Sequence, residues 1–448
     1  MLRCLALALA ATVSLGACND FLDTNPADKL PNDQAVTTPA GARAALAGAY
    51  NALQHGSYYG GDFVIYNDLY SDNDIHTGTF STYADAGQHS LFADNGDVKA
   101  IWDAIYDGIK RANVLIQKVP DITTLDPTER DQILGEARLL RALHYHNLVR
   151  LFGEVPLRLI PITVPAEAAD ITRSSVAQVY TQILDDLTQA ELLMTGGGGS
   201  HGSVAAAKAL LARVYLYQGD YANALARANE VEGLGFSLAP NFSDLFTPTG
   251  IDTPEDILKV TFTVEQFNLE GYYYLAFDAG GRYEVAPSQG LIDTFDTTST
   301  DARLIWSITP DPTDGFAEGF AYGTKWATPV GAEDLHVIRF AEVLLIKAEA
   351  LARQNQLAAA VTTYNLIRAR ANLAPHTLGV EVTTQQEVLN AIDRERRLEL
   401  AMEGDRFPDL VRTGRAIAAM NIQAYQQLLP IPQAEINVAP KITQNPGY

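Results

Sequence analysis

Apolar residues recur three and four positions apart through most of this chain, and two long stretches break that rhythm. In VKAIWDAIYDGIKRANVLIQKV, Ile101, Ile105, Ile109, Ala112 and Ile116 share one helical face. TPAGARAALAGAYNALQ sets a threonine cap before alanine and leucine at the same spacing, and DPTERDQILGEARLLRALHYHNLVRLFG opens on Asp126-Pro127 and closes on Gly153. SSVAQVYTQILDDLTQAELLM predicts another helix, followed by a flexible break at TGGGGSHGS. Small and apolar residues then fall at Ala206, Leu210, Ala212 and Tyr215, a turn at Gln218-Gly219-Asp220, and Tyr221, Ala224 and Leu225. That order matches a tetratricopeptide helix pair, and it returns with Ala348, Leu351, Asn355, Leu357, Ala360 and Val361. Small residues at these places let antiparallel helices approach closely, a structural role. The expected fold is all-α dominated, a tetratricopeptide-like helix-pair scaffold with long irregular loops and a few short strands.

The rhythm fails between about residues 55 and 95 and again between 233 and 335. In the second of these Gly, Pro, Asp, Thr and aromatic residues dominate, with one short strand predicted at Ile257 to Thr263. Loops this long in a compact protein usually carry function.

The first residues change the picture. Arg3 precedes an apolar run from Leu5 to Leu15, and Leu15-Gly16-Ala17-Cys18 follows. This is a secretory leader, too short to span a bilayer. Leu-Gly-Ala-Cys resembles the bacterial lipobox, which implies that Cys18 is acylated and heads the mature chain. The other cysteine, Cys4, leaves with the leader, so no disulfide is available and the core alone must hold the fold. A chain of 448 residues can bury enough apolar surface for that. Polar residues 19–34 read as a tether. The formal net charge of −22 argues against nucleic acid and against an anionic lipid surface as partners. The most apolar later stretch, VIRFAEVLLIKAEALA, is broken by Arg339, Glu342, Lys347 and Glu349.

Several segments resemble the SusD/RagB family, in that family's order: CNDFLD, WDAIYDGIKRAN, GEARLLRALHYHNLVRLFGEVPL, VIRFAEVLLIKAEALAR, AIDRERRLELAMEGDRFPDLVRTGR, QQLLPIPQAEI and QNPGY. Pro408 departs from the aromatic or large apolar residue expected there. The resemblance covers nearly the whole mature chain. It implies a surface-exposed lipoprotein of the outer membrane that captures nutrients, usually glycans. Capture would hand them to a SusC-like TonB-dependent β-barrel transporter. The implied division is a leader (1–17), a tether (18–34), an N-terminal helical region (35–232), a loop-rich insertion (233–335) and a C-terminal region (336–448).

Catalysis finds no support among the motifs. His144 and His146 are two apart and point to opposite sides of a helix, which suits packing better than a shared metal. Asp72-Asn73-Asp74 lacks the Gly and terminal Glu of an EF-hand and reads as an Asx-rich turn, although a structural calcium is compatible with it. There is no Gly-x-Ser-x-Gly elbow, Walker loop or His-Glu-x-x-His run. The charged run from Arg394 through Glu403 and Arg406 to Arg412 reads as a helix face laced by i,i+3 and i,i+4 ion pairs. No cofactor is expected.

A carbohydrate site needs flat aromatic platforms for sugar C–H faces and polar side chains for hydroxyls. Both irregular regions hold that mixture, and the resemblance implies that the ligand site is built from them. The first offers Tyr58, Tyr59, Asp62, Tyr66, Asp72, Asn73, Asp74, Phe80 and Tyr83. The second offers Tyr272 to Tyr274, Arg282, Tyr283, Trp306, Phe316, Phe320 and Tyr322. Gly, Ser and Thr neighbours predict that Tyr58, Tyr59, Phe80 and Tyr83 are exposed. Trp102 and Trp326 are expected in the core. The residues leave glycan capture, peptide capture in the manner of RagB-like proteins, and a purely structural envelope role open, with the loop aromatics favouring glycan.

Overall fold

The computed structural model describes residues 36–161, 170–247, 252–295, 300–317 and 319–448; the leader, Cys18 and the tether lie outside them. Helices α1 (Pro39–Asn51), α2 (Asp62–Leu69), α3 (Ser81–Gly87), α4 (Gly96–Lys118), α5 (Pro127–Phe152), α6 (Val176–Leu193), α7 (Val204–Tyr217) and α8 (Tyr221–Glu232) form the first half. The insertion carries α9 (Glu270–Tyr274), α10 (Gln289–Phe295) and α11 (Ala302–Ser307). After it come α12 (Phe340–Arg353), α13 (Leu357–Arg370), α14 (Gln385–Glu399), α15 (Arg406–Arg412), α16 (Ala416–Met420) and α17 (Gln433–Val438). Among the described residues six short strands interrupt them: β1 (Asp74–His76), β2 (Asp256–Val260), β3 (Val285–Pro287), β4 (Ile308–Thr309), β5 (Tyr322–Gly323) and β6 (Leu335–Arg339).

The helices begin where side chains can satisfy free backbone N–H groups. Thr38 caps α1, Asn95 caps α4, and Asp126 accepts from the Thr128 and Glu129 amides at the start of α5. Ser175 with Gln178 and Thr384 with Glu387 close reciprocal capping boxes on α6 and α14. On α4 the predicted face is the buried one, with Ile101, Ile105, Ile109 and Ala112 almost fully enclosed. Trp102 packs edge-on against Phe152 of α5. Gly108 is needed here, because a Cβ would stand 2.4 Å from Nε2 of His144. His144 hydrogen-bonds the Tyr58 hydroxyl at 3.0 Å, and burial lowers its pKa to about 3. His146 points the other way, between the rings of Tyr180 and Tyr217, with no hydrogen-bond partner among the described residues.

Both tetratricopeptide-like pairs form. Gly219, at φ +72°, turns α7 into α8, and Asn355, at φ +59°, makes the same left-handed turn between α12 and α13. Ala206, Leu210 and Ala212 of the first pair and Ala348, Ala360 and Val361 of the second are buried between their helices. The pairs join directly, α8 on α12, and the stack runs from α4 through α5, α6, α7, α8, α12 and α13 to α14. The insertion leaves this stack through one neck, the antiparallel pair β2–β6, in which Leu258 faces Ile338 and Val260 faces Leu335. The strand expected at Ile257 to Thr263 is this β2, beginning one residue earlier and ending at Val260. Trp326 packs on Phe246, so both tryptophans assigned to the core are there.

The charged C-terminal run is structural, but its geometry differs from the expected helix-surface pairs. Asp409–Arg412 has i,i+3 spacing. The other ion pairs are buried and link distant elements: Arg396 reaches Glu342, Asp405 and Asp409, and Arg412 reaches Glu349. Arg339, on β6, lies between Glu255 and Glu399 at 2.6 and 2.5 Å. Pro408 is buried within α15.

Candidate functional site

The two irregular regions meet through β1 and β3. Asp74 pairs with Pro287, Ile75 with Ala286 and His76 with Val285, so residues some 200 apart in sequence share a two-stranded sheet. The chain just after β1 wraps around Glu284, which sits just before β3. The Thr77 and Gly78 amides donate to the Glu284 carbonyl at 3.0 and 3.2 Å, and the Thr77 hydroxyl donates to the Tyr283 carbonyl. Glu284 is fully buried, and its carboxylate accepts from the Phe80 amide, from Nε of Arg282 at 2.8 Å and pairs with Nε2 of His76 at 3.2 Å. Burial alone would raise the Glu284 pKa, and these donors instead hold it below the usual range. Gly78 gives the carboxylate room, since a Cβ there would lie 2.3 Å from it.

Upon this base stands an aromatic face. The Arg282 guanidinium lies 4.1 Å from the centre of the Phe80 ring and donates to the Thr79 hydroxyl at 2.9 Å. Phe80 meets Tyr83 and Tyr273 edge-on at 5.7 and 5.9 Å, and Tyr273 meets Tyr272 at 5.3 Å. The backbone fixes the tyrosines: the amides of Arg282 and Glu284 donate to the carbonyls of Tyr272 and Tyr273. Gly281 makes this turn possible, because a Cβ would fall 2.0 Å from the Leu275 carbonyl oxygen. Tyr283 adopts φ +51°, uncommon for a bulky residue, and its hydroxyl reaches the Ala321 carbonyl at 3.2 Å. That bond ties the face to the β4–β5 hairpin. Burial, then the nearby Asp62 for Tyr273 and Asp311 for Tyr283, pushes both phenols up to about 12, so they remain neutral hydrogen-bonding groups. Phe80, Tyr272, Tyr273, Arg282 and Tyr283 are all partly exposed. Half-open rings beside phenols and a held guanidinium are chemistry that suits a sugar's apolar face and hydroxyl rim.

The sequence model described as "SusD family" matches residues 296–448, and the one described as "Starch-binding associating with outer membrane" matches residues 20–216. Across these two matched stretches the chain is similar to the SusD/RagB family. A SusD-like protein of Formosa agariphila is 28% identical over 97% of this chain and 96% of its own length. The starch-binding protein SusD of Bacteroides thetaiotaomicron is 25% identical over 70% of this chain and 72% of that protein. Among solved structures, a laminarin-binding SusD-like protein superposes with a TM-score of 0.80 at 28% identity, covering 92% of this chain and all of that one. A SusD superfamily protein of Bacteroides vulgatus has a TM-score of 0.82 at 23% identity over 92% and 99% of the two chains, which speaks to the fold.

Within this SusD-like fold the sequence-predicted site residues divide into three groups. Phe80, Arg282 and Tyr283 come together as one face. Trp306, in α11 just before β4, and Phe320, just before β5, are 45% and 49% exposed, and Phe316, in the loop between these strands, packs partly against the core. The remaining residues correct the expectation. Tyr58, Tyr59 and Tyr83 are buried rather than exposed. Gly60 and Gly61 are there for close packing, since a Cβ would stand 2.6 Å from the Gln54 carbonyl oxygen and 2.8 Å from that of Gly56, and this fold-back encloses both neighbouring tyrosines. Asn147 donates to both of their hydroxyls. Tyr83 donates to Asp62 at 2.8 Å and supports Phe80 and Tyr273 from below.

Asp72, Asn73 and Asp74 form a clasp rather than an open turn. Asp72 accepts from Arg406 at 2.7 and 3.0 Å, Asn73 lies between Asp68 and Arg397, and buried Asp74 accepts from the Tyr274 hydroxyl. Among the described residues no group of three or more His, Cys, Asp or Glu side chains is placed to hold a metal ion. Glu284, which organises the face, was missed from the sequence; an acid between Arg-Tyr and an apolar run carries no pattern that marks it.

Proposed function

We propose that this chain is a lipid-anchored outer-membrane protein that captures glycan on the Phe80–Tyr273 face and passes it to a SusC-like TonB-dependent transporter, without cleaving it. The observation that carries the reading is the cluster of half-open rings around Arg282, built from both irregular regions at once. The laminarin-binding relative, similar across the whole fold, supports a glycan as ligand. The match to a family described as associating with the outer membrane supports the location. No helix among the described residues is long and apolar enough to cross a membrane, and the lipobox-like Leu15-Gly16-Ala17-Cys18 supports attachment through an acylated Cys18.

Titration of the protein with laminarin, amylopectin and a mixed peptide library, with each mixture checked for products, tests this. Saturable glycan binding without products is expected, and Phe80→Ala and Tyr273→Ala should each weaken it by about 1–3 kcal/mol, the loss of one stacking ring. Binding of peptides alone would refute the glycan reading, and released sugars would refute capture without cleavage. Cys18→Ala should move the protein from the membrane fraction to the soluble one, and retention in the membrane would remove the anchor. Purification of the tagged native protein from outer membranes should bring a β-barrel partner with it; its absence would count against the transporter partnership.

A further inference from the structure

The segments that meet at the Phe80–Tyr273 face are almost devoid of positive charge. Residues 44–98 contain no Lys or Arg, and residues 261–324 contain two, Arg282 and Arg303. Arg303 is fully buried between Asp301 and Glu395 and cannot reach a ligand. Arg282 has a third of its side chain exposed, but its Nε is held by Glu284, one of its terminal nitrogens by Thr79, and its plane lies over Phe80. Its charge is answered from inside the protein by a carboxylate that water does not reach.

Acids surround the rings. Asp62 binds Tyr83 from below, Asp97 binds Tyr66 next to it, and Asp311 lies near Tyr283. Recognition of a carboxylate or sulfate relies on guanidinium or ammonium groups free to form charge-assisted hydrogen bonds. Without them a desolvated anion is left unpaired. Resting on the reading of this face as the glycan site, we infer that it selects uncharged glycans and rejects those bearing uronate or sulfate groups. The rings supply stacking area, the phenols and Thr79 supply hydroxyl partners, and the local field penalises negative charge.

Matched ligands test this on the full-length protein in detergent. Laminarin, amylopectin and galactomannan are each titrated beside a C6-carboxylated form of the same chain, at 50 and 500 mM NaCl. At least one neutral glycan should bind, with affinity unchanged by salt, and its carboxylated form should bind at least tenfold more weakly at 50 mM, the deficit narrowing at 500 mM as repulsion is screened. Equal or tighter binding of a carboxylated form, weakened by salt, would overturn the inference while leaving glycan capture intact. Binding of peptides only, or of no glycan in either form, would overturn the capture reading and this inference with it.

Discussion

Replacing Arg339 with methionine is expected to cost about 3–5 kcal/mol of folding stability, read as a lower urea midpoint at pH 7. The side chain is nearly fully buried where the insertion's neck meets the C-terminal helices. One terminal nitrogen serves Glu255 and Glu399, and the other serves Glu403 at 2.8 Å and the Glu399 carbonyl. Methionine fills much of the volume but leaves three enclosed carboxylates facing one another with fewer cations. Arg339→Lys should recover part of the loss, because it restores charge without the planar fork. Burial pushes Glu399 and Glu403 up, and cations overcome it: Arg370, Arg339 and Arg303 for Glu399, Arg339 and Lys325 for Glu403, which falls to about 2. Folded values below the unfolded ones contribute stability that is complete above about pH 5 and is lost as pH falls toward 2. Without Arg339 these acids hold protons more readily, so the deficit of the variant should shrink between pH 7 and pH 5. A loss below about 1 kcal/mol, or one independent of pH, would show that the network does not depend on this arginine.

Helices were legible because their signals are local. The isoleucine stripe of α4, the Asp126-Pro127 start of α5 and the turns at Gly219 and Asn355 lie within a few residues of what they specify. The pairing of β1 with β3 leaves no such trace, since each strand has three residues and the partners are about 200 positions apart. Tyr58 and Tyr59 were misread for a related reason. Glycine neighbours mark both exposed loops and places where backbone folds against backbone, and the position of the Gln54 and Gly56 carbonyls decides between them. The charged run was identified as a network, but its partners Asp72, Glu255 and Glu342 lie far away in sequence. The two regions that meet at the aromatic face stand out in the sequence by their composition. Which rings stay half-open depends on Glu284, Gly281 and the fold-back at Gly60, none of which carries a pattern of its own.

Glu270→Gln should stabilise the protein at neutral pH, by roughly 2–3 kcal/mol at pH 7. Glu270 begins α9, two and three residues before Tyr272 and Tyr273, and is fully buried, with neither carboxyl oxygen hydrogen-bonded among the described residues. Burial raises its pKa well above normal, and Asp68, Asp74 and Asp62 reinforce the shift. Asp74 is raised by burial and by Asp68, while burial brings Asp68 and Asp62 each to about 6. A carboxyl that stays protonated in the fold but ionises in the unfolded chain contributes no penalty below about pH 4. It destabilises the fold increasingly as pH rises from there toward the folded value. Glutamine keeps the shape and neutrality of the protonated acid and offers two donors among carboxylate oxygens. Its advantage should therefore be small at pH 4 and clearly larger at pH 7, in urea unfolding at both values. Equal stabilities at pH 7, or a gain of the same size at pH 4, would mean that Glu270 is not held protonated. The layer of acids under the aromatic face thus sets a stability cost that increases with pH, opposite in sign to the arginine-held carboxylates around Arg339. Together they predict maximum stability at about pH 4–5, where the arginine pairs are still largely intact and the buried acids, whose cost grows from about pH 4 toward their folded values, are still mostly protonated.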